Sequence, residues 1–272
     1  MKNDRGYALI TGASQGLGAA LTMELARNGF GVLLVARSEE AMRQVAAEAG
    51  ALNGDRTGIL VADLFAPGAV DRVVAWANAS GKSITCVVNN AGQGLWGMFD
   101  ELPLADQLRM MHLNMTVPVE LTHHLLPQLK RAQRSYVLNI SSMTAYSAMA
   151  TFAVYSGSKS FLLRWSRSLR IELRGGPVSV TAICPGSIIT GFTERAGMMA
   201  MDDLARKFGT GPGPVAKTAV KAMLRGKAEV VPGLLNRITA MVQGLMPDGL
   251  NERVASGIYL KRLPRKAEGP TS

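Results

Sequence analysis

Short apolar runs alternate with longer amphipathic stretches along most of the chain. The runs are apolar at almost every position, which is typical of strands buried on both faces of a parallel sheet. They predict strands at residues 7–11, 31–36, 58–62, 85–89, 136–140, 178–184 and 229–231. Between them, apolar residues recur at helical spacing and predict helices at residues 17–28, 39–49, 69–79, 104–134, 156–174 and 214–225. This alternation predicts an α/β fold, a doubly wound parallel sheet of about seven strands with helices on both faces.

Length and composition indicate one globular domain. The chain has 272 residues, 47% of them hydrophobic and 18% charged, and single α/β domains of this size are common. We assign residues 1–260 to the domain, with residues 186–213 as a substrate lid and residues 232–260 as a C-terminal extension. The segment 186–213 is rich in Gly and Met, and long loops inside compact domains usually bind ligands. Residues 261–272 are expected to form a flexible tail.

Targeting signals, charge and cysteines restrict the function further. The sequence shows no secretory signal or membrane-spanning stretch, so we expect a cytoplasmic protein. The net charge of +10 favours anionic ligands, and arginines recur at helical spacing between Arg164 and Arg174. Because no nucleic-acid motif accompanies them, we interpret this stripe as a solvated or interface surface and expect no nucleic-acid partner. Cys86 and Cys184 lie in apolar runs, so we expect core thiols and no metal site.

The loop after the first predicted strand is rich in glycine and leads directly into a helix. Gly12, Gly16 and Gly18 allow the backbone to turn tightly and to approach a pyrophosphate, whose charge a helix N-terminus stabilises. Ligands of doubly wound sheets bind outside the carboxyl ends of the strands. We therefore interpret this turn as the dinucleotide cradle of a Rossmann-type fold.

The end of the second predicted strand indicates which dinucleotide is preferred. Ala36 stands where NAD-binding proteins carry an acidic residue that hydrogen-bonds the ribose 2′-hydroxyl, and Arg37 follows it. A guanidinium binds a 2′-phosphate and stacks on adenine. The sequence therefore predicts NADP(H) as the preferred cofactor.

Ser142, Tyr155 and Lys159 form the most informative chemical pattern in the chain. Tyr155 and Lys159 are four residues apart and so share one face of a helix, and Ser142 precedes Tyr155 by thirteen residues. An ammonium group beside a phenol stabilises the phenolate and lowers the pKa of the phenol. The pattern predicts that Tyr155 exchanges a proton near neutral pH.

Taken together, the motifs resemble those of the classical short-chain dehydrogenase/reductase family over about the first 190 residues. The resemblance implies hydride transfer between a nicotinamide and a carbonyl or alcohol carbon, with Tyr155 as general acid or base. It further implies that Ser142 binds the substrate oxygen and that Lys159 binds the nicotinamide ribose. Asn114 completes the implied catalytic tetrad and is expected to hold a water that links Lys159 to solvent.

The same resemblance implies a cofactor site distributed over the loops that follow the strands. Its members are Gly12, Ser14, Gln15, Gly16, Leu17, Gly18, Arg37, Ser38, Asp63, Leu64, Asn90, Ala91, Gly92, Tyr155, Lys159, Pro185, Gly186, Ile188 and Thr190. Gln15 departs from the family pattern, because many NADP-preferring members carry a basic residue there. Arg37 is then the main determinant of selectivity, and use of NAD(H) remains open.

Substrate contacts are expected from the loops after the fourth, fifth and sixth strands, where most residues are apolar. The predicted contacts are Gln93, Trp96, Ser142, Met143, Met149 and Phe192. They favour a small-molecule ketone or alcohol of apolar character, such as a 3-oxoacyl thioester or a steroid-like ketone. The resemblance also implies a homotetramer or a homodimer.

Two other functions stay open on the sequence alone. One is a non-catalytic NADP-sensing regulatory or binding protein on the same fold. The other is a charge-driven partnership with a nucleic acid or an acyl carrier, for which salt-sensitive binding through Arg164 to Arg174 would be the signature.

Overall fold

Seven parallel strands form one sheet in the computed structural model, which describes residues 4–189, 196–198, 203, 207 and 209–263. The strands are β1 Tyr7–Thr11, β2 Gly31–Ala36, β3 Thr57–Val61, β4 Ile84–Asn89, β5 Ser135–Ile140, β6 Val178–Ile183 and β7 Glu229–Val230. Their order across the sheet is β3-β2-β1-β4-β5-β6-β7, and every neighbouring pair is parallel.

Helices cover both faces of this sheet. They are α1 Gly16–Arg27, α2 Glu39–Asn53, α3 Ala69–Ala79, α4 Leu104–Met111, α5 Val117–Arg131, α6 Ala153–Glu172, α7 Pro212–Leu224, α8 Leu234–Leu245 and α9 Asp248–Leu260. Alternate residues of β1 point to opposite faces: Ala8 and Ile10 pack with α1, α2 and α7, whereas Leu9 packs with α3 and α5. Because both faces are buried, the strands carry uninterrupted apolar runs. The predicted fold class is confirmed.

The predicted helix at residues 104–134 is interrupted. Between α4 and α5 lies a π-helical turn, His112–Thr116, and Pro118 follows in the first turn of α5. Proline has no N–H to donate to the carbonyl four residues earlier, which here belongs to Asn114, so the regular α-helical ladder breaks at this point. Because a π-helical turn contains one more residue than an α-helical turn, Asn114 projects in a direction different from the one it would have in a regular α-helix.

Two arginines of the basic stripe have structural partners. Arg167 forms an ion pair with Glu229 at 2.7 Å, and Arg170 donates hydrogen bonds to the carbonyl oxygens of Val180 and Gly226. These contacts attach the C-terminal half of α6 to β6, β7 and the turn before β7. At these two positions the arginine side chains bind groups at the β6–β7 edge of the sheet. This structural role was not part of the expectation of a solvated or interface surface.

The C-terminal extension forms α8 and α9. Residues of the predicted lid are described in part, and Ile188 there forms a parallel bridge with Thr210. No helix within the described part of the chain combines the length and the apolar character that crossing a bilayer requires. Both cysteines, Cys86 and Cys184, are buried free thiols, as predicted.

Candidate active site

A cavity of about 850 Å³ lies at the carboxyl ends of the strands, where the strand order reverses between β1 and β4. Its walls come from the loops after β1 to β6 and from α4, α6 and α9. All predicted cofactor residues within the described ranges line it: Gly12, Ser14, Gln15, Gly16, Leu17, Gly18, Arg37, Ser38, Asp63, Leu64, Asn90, Ala91, Gly92, Tyr155, Lys159, Pro185, Gly186 and Ile188. Thr190, the remaining predicted member, lies outside the described residues.

The glycine turn requires glycine at three positions for two different reasons. Gly12 and Gly16 have φ angles of +65° and +56°, in the left-handed region that L side chains rarely adopt. Gly18 has no such angle, but a Cβ there would overlap the carbonyl oxygen of Gly12. The first turn of α1 therefore packs directly on the loop, and its N-terminus is presented to the cavity.

Thr11 ties this turn to the loop after β4. Its hydroxyl accepts hydrogen bonds from the backbone N–H groups of Asn90 and Ala91, at 3.1 and 3.0 Å, and donates one to the carbonyl of Val88. The Asn90 side chain donates in return to the Thr11 carbonyl at 2.9 Å. Thr11 was not among the residues predicted from the sequence, although a hydroxyl residue directly before a glycine turn was the available signal.

Arg37 is exposed at the end of β2 and follows Ala36, so no carboxylate occupies the end of this strand. Two further wall residues were missed by the sequence analysis. The Arg109 guanidinium lies 4.6 Å from the centre of the Phe65 ring, and both residues line the cavity beside Leu64. They come from α4 and from the loop after β3, which only the fold brings together.

Ser142, Tyr155 and Lys159 converge on the same cavity. Ser142 and Tyr155 are joined by a side-chain hydrogen bond. Lys159 lies one turn further along α6, its Nζ donates to the carbonyl of Ile140 at 3.0 Å, and it lies 5.8 Å from the centre of the Tyr155 ring. The sequence spacing thus predicted a cluster that the fold assembles.

Burial governs the protonation of these groups. It raises the pKa of Tyr155 to about 12, against the opposing effect of the hydrogen bond with Ser142. It also lowers the pKa of Lys159 to about 8. The sequence pattern predicted a lowered pKa at Tyr155. The net shift has the opposite direction, because desolvation of the phenolate outweighs the stabilising contacts. At neutral pH Tyr155 is therefore a protonated phenol.

Asn114 lies behind the cavity wall, and the predicted water-holding role remains a prediction. Its side chain accepts a hydrogen bond from the Gln93 N–H at 3.0 Å and donates to the Gln93 carbonyl at 2.9 Å. It also donates to the Ser158 hydroxyl at 3.0 Å, which in turn donates to the Tyr155 carbonyl. A π-helical turn at such a position is common at functional sites. Asn114 links the loop after β4 to the helix that carries Tyr155.

At the substrate end the predicted contacts divide into two groups. Gln93, Ser142 and Met143 line the cavity. Trp96 and Met149 do not: they are buried in an apolar cluster behind the wall, where the Trp96 indole N–H donates to Thr151 at 2.9 Å. Neither side chain lines the cavity in this structure, because both pack against other apolar residues of this cluster, and their role as substrate contacts remains a prediction. Phe192 lies outside the described residues.

Two aromatic wall residues were not anticipated. Phe152 and Tyr259 both line the cavity, and their rings meet edge to face with centres 5.1 Å apart. Phe152 also packs against Tyr155, with ring centres 5.7 Å apart. Tyr259 comes from α9, so no local spacing in the sequence connects it with Tyr155.

The family model for short chain dehydrogenases matches residues 6–200. The chain belongs to the short-chain dehydrogenase family. The resemblance inferred from the motifs is therefore confirmed, and membership makes the chain an oxidoreductase of the short-chain dehydrogenase type. The match contains the glycine turn and Ser142, Tyr155 and Lys159, whereas Tyr259 lies beyond it.

Individual relatives agree with this placement among the short-chain dehydrogenases. The 17-beta-hydroxysteroid dehydrogenase type 3 of Rattus norvegicus is 28% identical over 89% of this chain and 76% of that protein. Ketoacyl reductase HetN of Nostoc sp. is 30% identical over 88% of this chain and 82% of its own length. Among solved structures, a short-chain dehydrogenase from Sphingobium yanoikuyae in complex with NADPH has a TM-score of 0.78 at 26% identity, covering 97% of this chain and 98% of that one.

Proposed function

We propose that this protein is an NADP(H)-dependent oxidoreductase that interconverts a carbonyl and a secondary alcohol in a largely apolar substrate, with Tyr155 as general acid and base. One observation carries the proposal. The glycine turn and the Ser142–Tyr155–Lys159 cluster open into one cavity of about 850 Å³, a size that suits a cofactor and a substrate together.

The residues of the cavity fit a nicotinamide dinucleotide. At Gly18 a Cβ would fill the space that the turn needs, and the N-terminus of α1 offers backbone N–H groups to a pyrophosphate. Ser142, Tyr155 and Lys159 line the same cavity. When bound, the cofactor supplies a hydride donor or acceptor at its nicotinamide ring.

Arg37 and Ala36 support preference for NADP(H). An exposed guanidinium at the cavity edge can pair with a 2′-phosphate, and Ala36 offers no acceptor for a 2′-hydroxyl. The NADPH complex of the Sphingobium yanoikuyae protein is consistent with this preference. Gln15 adds no positive charge, so the selectivity depends on Arg37.

In the reducing direction, the side chains of this chain have distinct tasks. Ser142 hydrogen-bonds the substrate oxygen and stabilises the negative charge that develops on it. Tyr155, whose pKa is raised to about 12 by burial, is protonated at neutral pH and donates its phenolic proton to that oxygen. Lys159, with a pKa lowered to about 8, is a stronger acid than the phenol, so returning a proton from Lys159 to the tyrosinate is favourable. In the oxidising direction each transfer is reversed.

Apolar walls and the named relatives support the substrate class. Met143, Phe152 and Met198 line the cavity near Tyr155. The rat relative is named for a hydroxysteroid and the Nostoc relative for a ketoacyl group, and both are apolar molecules with a ketone or hydroxyl. We therefore include steroid-like ketones and 3-oxoacyl thioesters in the proposed class.

The test measures cofactor binding first. Fluorescence titration with NADPH and NADH is carried out on wild type, on Arg37→Ala and on Arg43→Ala, an exposed arginine on α2 that pairs with Glu39 away from the cavity. We expect wild type and Arg43→Ala to bind NADPH more tightly than NADH. In Arg37→Ala the ratio of the NADH to the NADPH dissociation constant should fall about tenfold or more. Equal affinities for the two cofactors in wild type would contradict the NADP(H) assignment.

Turnover is tested second, by following NADPH absorbance with a panel of ketones. Consumption of NADPH that Tyr155→Phe abolishes is the expected result. If the wild type binds NADPH but reduces no steroid-like ketone, 3-oxoacyl thioester or aryl ketone, the proposed reaction is wrong and a cofactor-sensing protein becomes the better description.

A further inference from the structure

Tyr259 lines the same cavity as Tyr155 although it lies outside the matched family region, which ends at residue 200. It is on α9, near the end of the C-terminal extension. Among the described residues beyond position 200, it is the one that lines this cavity. The extension therefore contributes an aromatic side chain to the wall of the proposed substrate pocket.

The ring of Tyr259 has a defined place in this wall. It meets Phe152 edge to face at 5.1 Å between ring centres and 89° between planes, a favourable aromatic geometry. It packs against a buried cluster that includes Trp96, Met149 and Tyr155. A side chain held in this way changes the volume of the pocket when its size changes.

Two polar contacts fix α9 against the body of the protein. The Ser256 hydroxyl accepts a hydrogen bond from the Ala150 N–H at 3.0 Å, close to the loop that leads to Tyr155. Arg262 forms an ion pair with Asp203 at 2.6 Å, which connects the end of α9 to the predicted lid. Tyr259 lies between these two anchors in sequence, so its position is set from both sides.

Tyr259 is also close enough to Tyr155 to influence its protonation. The phenol of Tyr259 contributes to the raised pKa of Tyr155, and burial raises the pKa of Tyr259 itself. Both phenols are therefore neutral at pH 7. The ring of Phe152 lies between them, with its centre 5.7 Å from that of Tyr155 and 5.1 Å from that of Tyr259, so Tyr259 lies at the end of the cavity that holds Tyr155.

We propose that Tyr259 is a specificity-determining residue whose ring limits the size of the group beside the reacting carbonyl. The inference rests on the proposed function, since it concerns the substrate of the same site. It assigns to the C-terminal extension the selection of ketones by the bulk of their flanking groups. The cofactor end of the cavity, lined by Gly12 and Arg37, is not affected.

The experiment compares acetophenone with benzophenone, which differ by a phenyl in place of a methyl group beside the carbonyl. The ratio of kcat/KM for benzophenone to that for acetophenone is measured with NADPH in wild type, Tyr259→Ala, Tyr259→Phe and Tyr259→Trp. Leu260→Ala serves as the matched control, because Leu260 is the next residue on α9 and is 45% exposed. NADPH titration and thermal unfolding confirm that each variant is folded.

We expect Tyr259→Ala to raise the benzophenone to acetophenone ratio about tenfold, because removal of the ring makes room for the phenyl group and hydrophobic pockets discriminate apolar groups by about 10–200-fold. Tyr259→Trp should lower the ratio, and Tyr259→Phe and Leu260→Ala should leave it unchanged. The two changes of opposite sign make the test independent of the folding of any one variant. A ratio that stays at the wild-type value in the folded Ala and Trp variants overturns the proposal, as does an equal change in Leu260→Ala.

Failure of the proposed function is distinguishable from failure of this inference. If wild type reduces neither these two ketones nor any steroid-like ketone or 3-oxoacyl thioester of the panel, the reaction assignment fails. The ratio of the dissociation constants of benzophenone and acetophenone, measured by quenching of protein fluorescence in the same variants, then decides the role of Tyr259. If wild type reduces ketones and the Tyr259 variants keep its ratio, only the specificity assignment fails.

Discussion

Asn114 holds the backbone of Gln93 through both of its polar groups, accepting from the N–H at 3.0 Å and donating to the carbonyl at 2.9 Å. The same amide reaches Ser158 on α6. Gly92 lies tightly between Asn114 and Lys159, since a Cβ there would lie 3.2 Å from Oδ1 of Asn114 and 3.3 Å from Nζ of Lys159. The loop after β4 is therefore positioned by a buried amide of the π-helical turn.

Replacement of Asn114 by alanine should destabilise the protein measurably. It leaves the N–H and carbonyl of Gln93 without their partner in a partly buried site, and each such loss costs about 1–3 kcal/mol. We expect a fall of about 2–4 kcal/mol in the free energy of unfolding, measured by urea denaturation. The control is Thr116→Ala, an exposed position on the same π-helical turn. Equal stability of the two variants would show that the amide contacts contribute little.

Gly18→Ala should weaken cofactor binding more than it affects the fold. The added Cβ would overlap the carbonyl of Gly12, so the loop must move away from the position that a pyrophosphate needs. We expect NADPH affinity to fall about tenfold or more by fluorescence titration. Gly244→Ala on α8 is the matched control, because among described residues no atom lies within 4 Å of the Cβ it would add. Unchanged affinity in Gly18→Ala would contradict the cradle assignment.

Sequence spacing predicted the parts of the site that depend on neighbours along the chain. Gly12 to Gly18 occupy one turn, and Tyr155 and Lys159 occupy one helix face, so a local pattern was sufficient. The sheet was equally accessible, because strands buried on both faces must be apolar throughout. Pro118 was the sequence signal for an interruption near Asn114. The apolar residues at helical spacing on both sides of it nevertheless favoured one continuous helix over residues 104–134.

Other parts of the site depend on contacts that spacing does not encode. Tyr259 reaches Tyr155 across about a hundred residues, and only the packing of α9 brings them together. Trp96 and Met149 are apolar and were therefore predicted to line the pocket, but they lie in the buried cluster behind its surface. Sequence does not distinguish a side chain that lines a cavity from one that packs behind the lining. The net pKa direction at Tyr155 depends on burial, which is a property of the assembled fold.

Tyr155→Phe should abolish ketone reduction without loss of NADPH binding. The ring is retained, so packing against Phe152 survives, while the proton donor is removed. We expect kcat to fall about 10²–10⁴-fold or more, the usual contribution of a general acid. The control is Tyr136→Phe in β5: its ring is buried, and among the described residues its hydroxyl has no hydrogen-bond partner, so activity and stability should be retained. Activity of Tyr155→Phe close to wild type would rule out the proposed acid.

Lys159 should make stability depend on pH in a predictable direction. Its pKa is lowered from 10.5 to about 8 by burial, so between these values the unfolded chain binds more protons than the folded one. Stability contributed by this group therefore rises with pH across that window, since the penalty for burying an ammonium disappears as the group becomes neutral. Lys159→Met removes the titrating group. We expect the unfolding free energy of wild type, relative to this variant, to increase by about 2–3 kcal/mol from pH 7 to pH 10.

Urea denaturation at several pH values between 7 and 10 measures this difference, and staying below pH 10 keeps Tyr155, with its pKa near 12, protonated. The same series on Lys217→Met, an exposed position on α7, gives the background for replacing a lysine by methionine. A difference between wild type and Lys159→Met that does not change with pH would show that Lys159 keeps its ordinary pKa in the folded protein. In that case Lys159 would be a stronger acid than Tyr155 by less than two pKa units instead of about four, so the return of a proton to the tyrosinate would be less favourable.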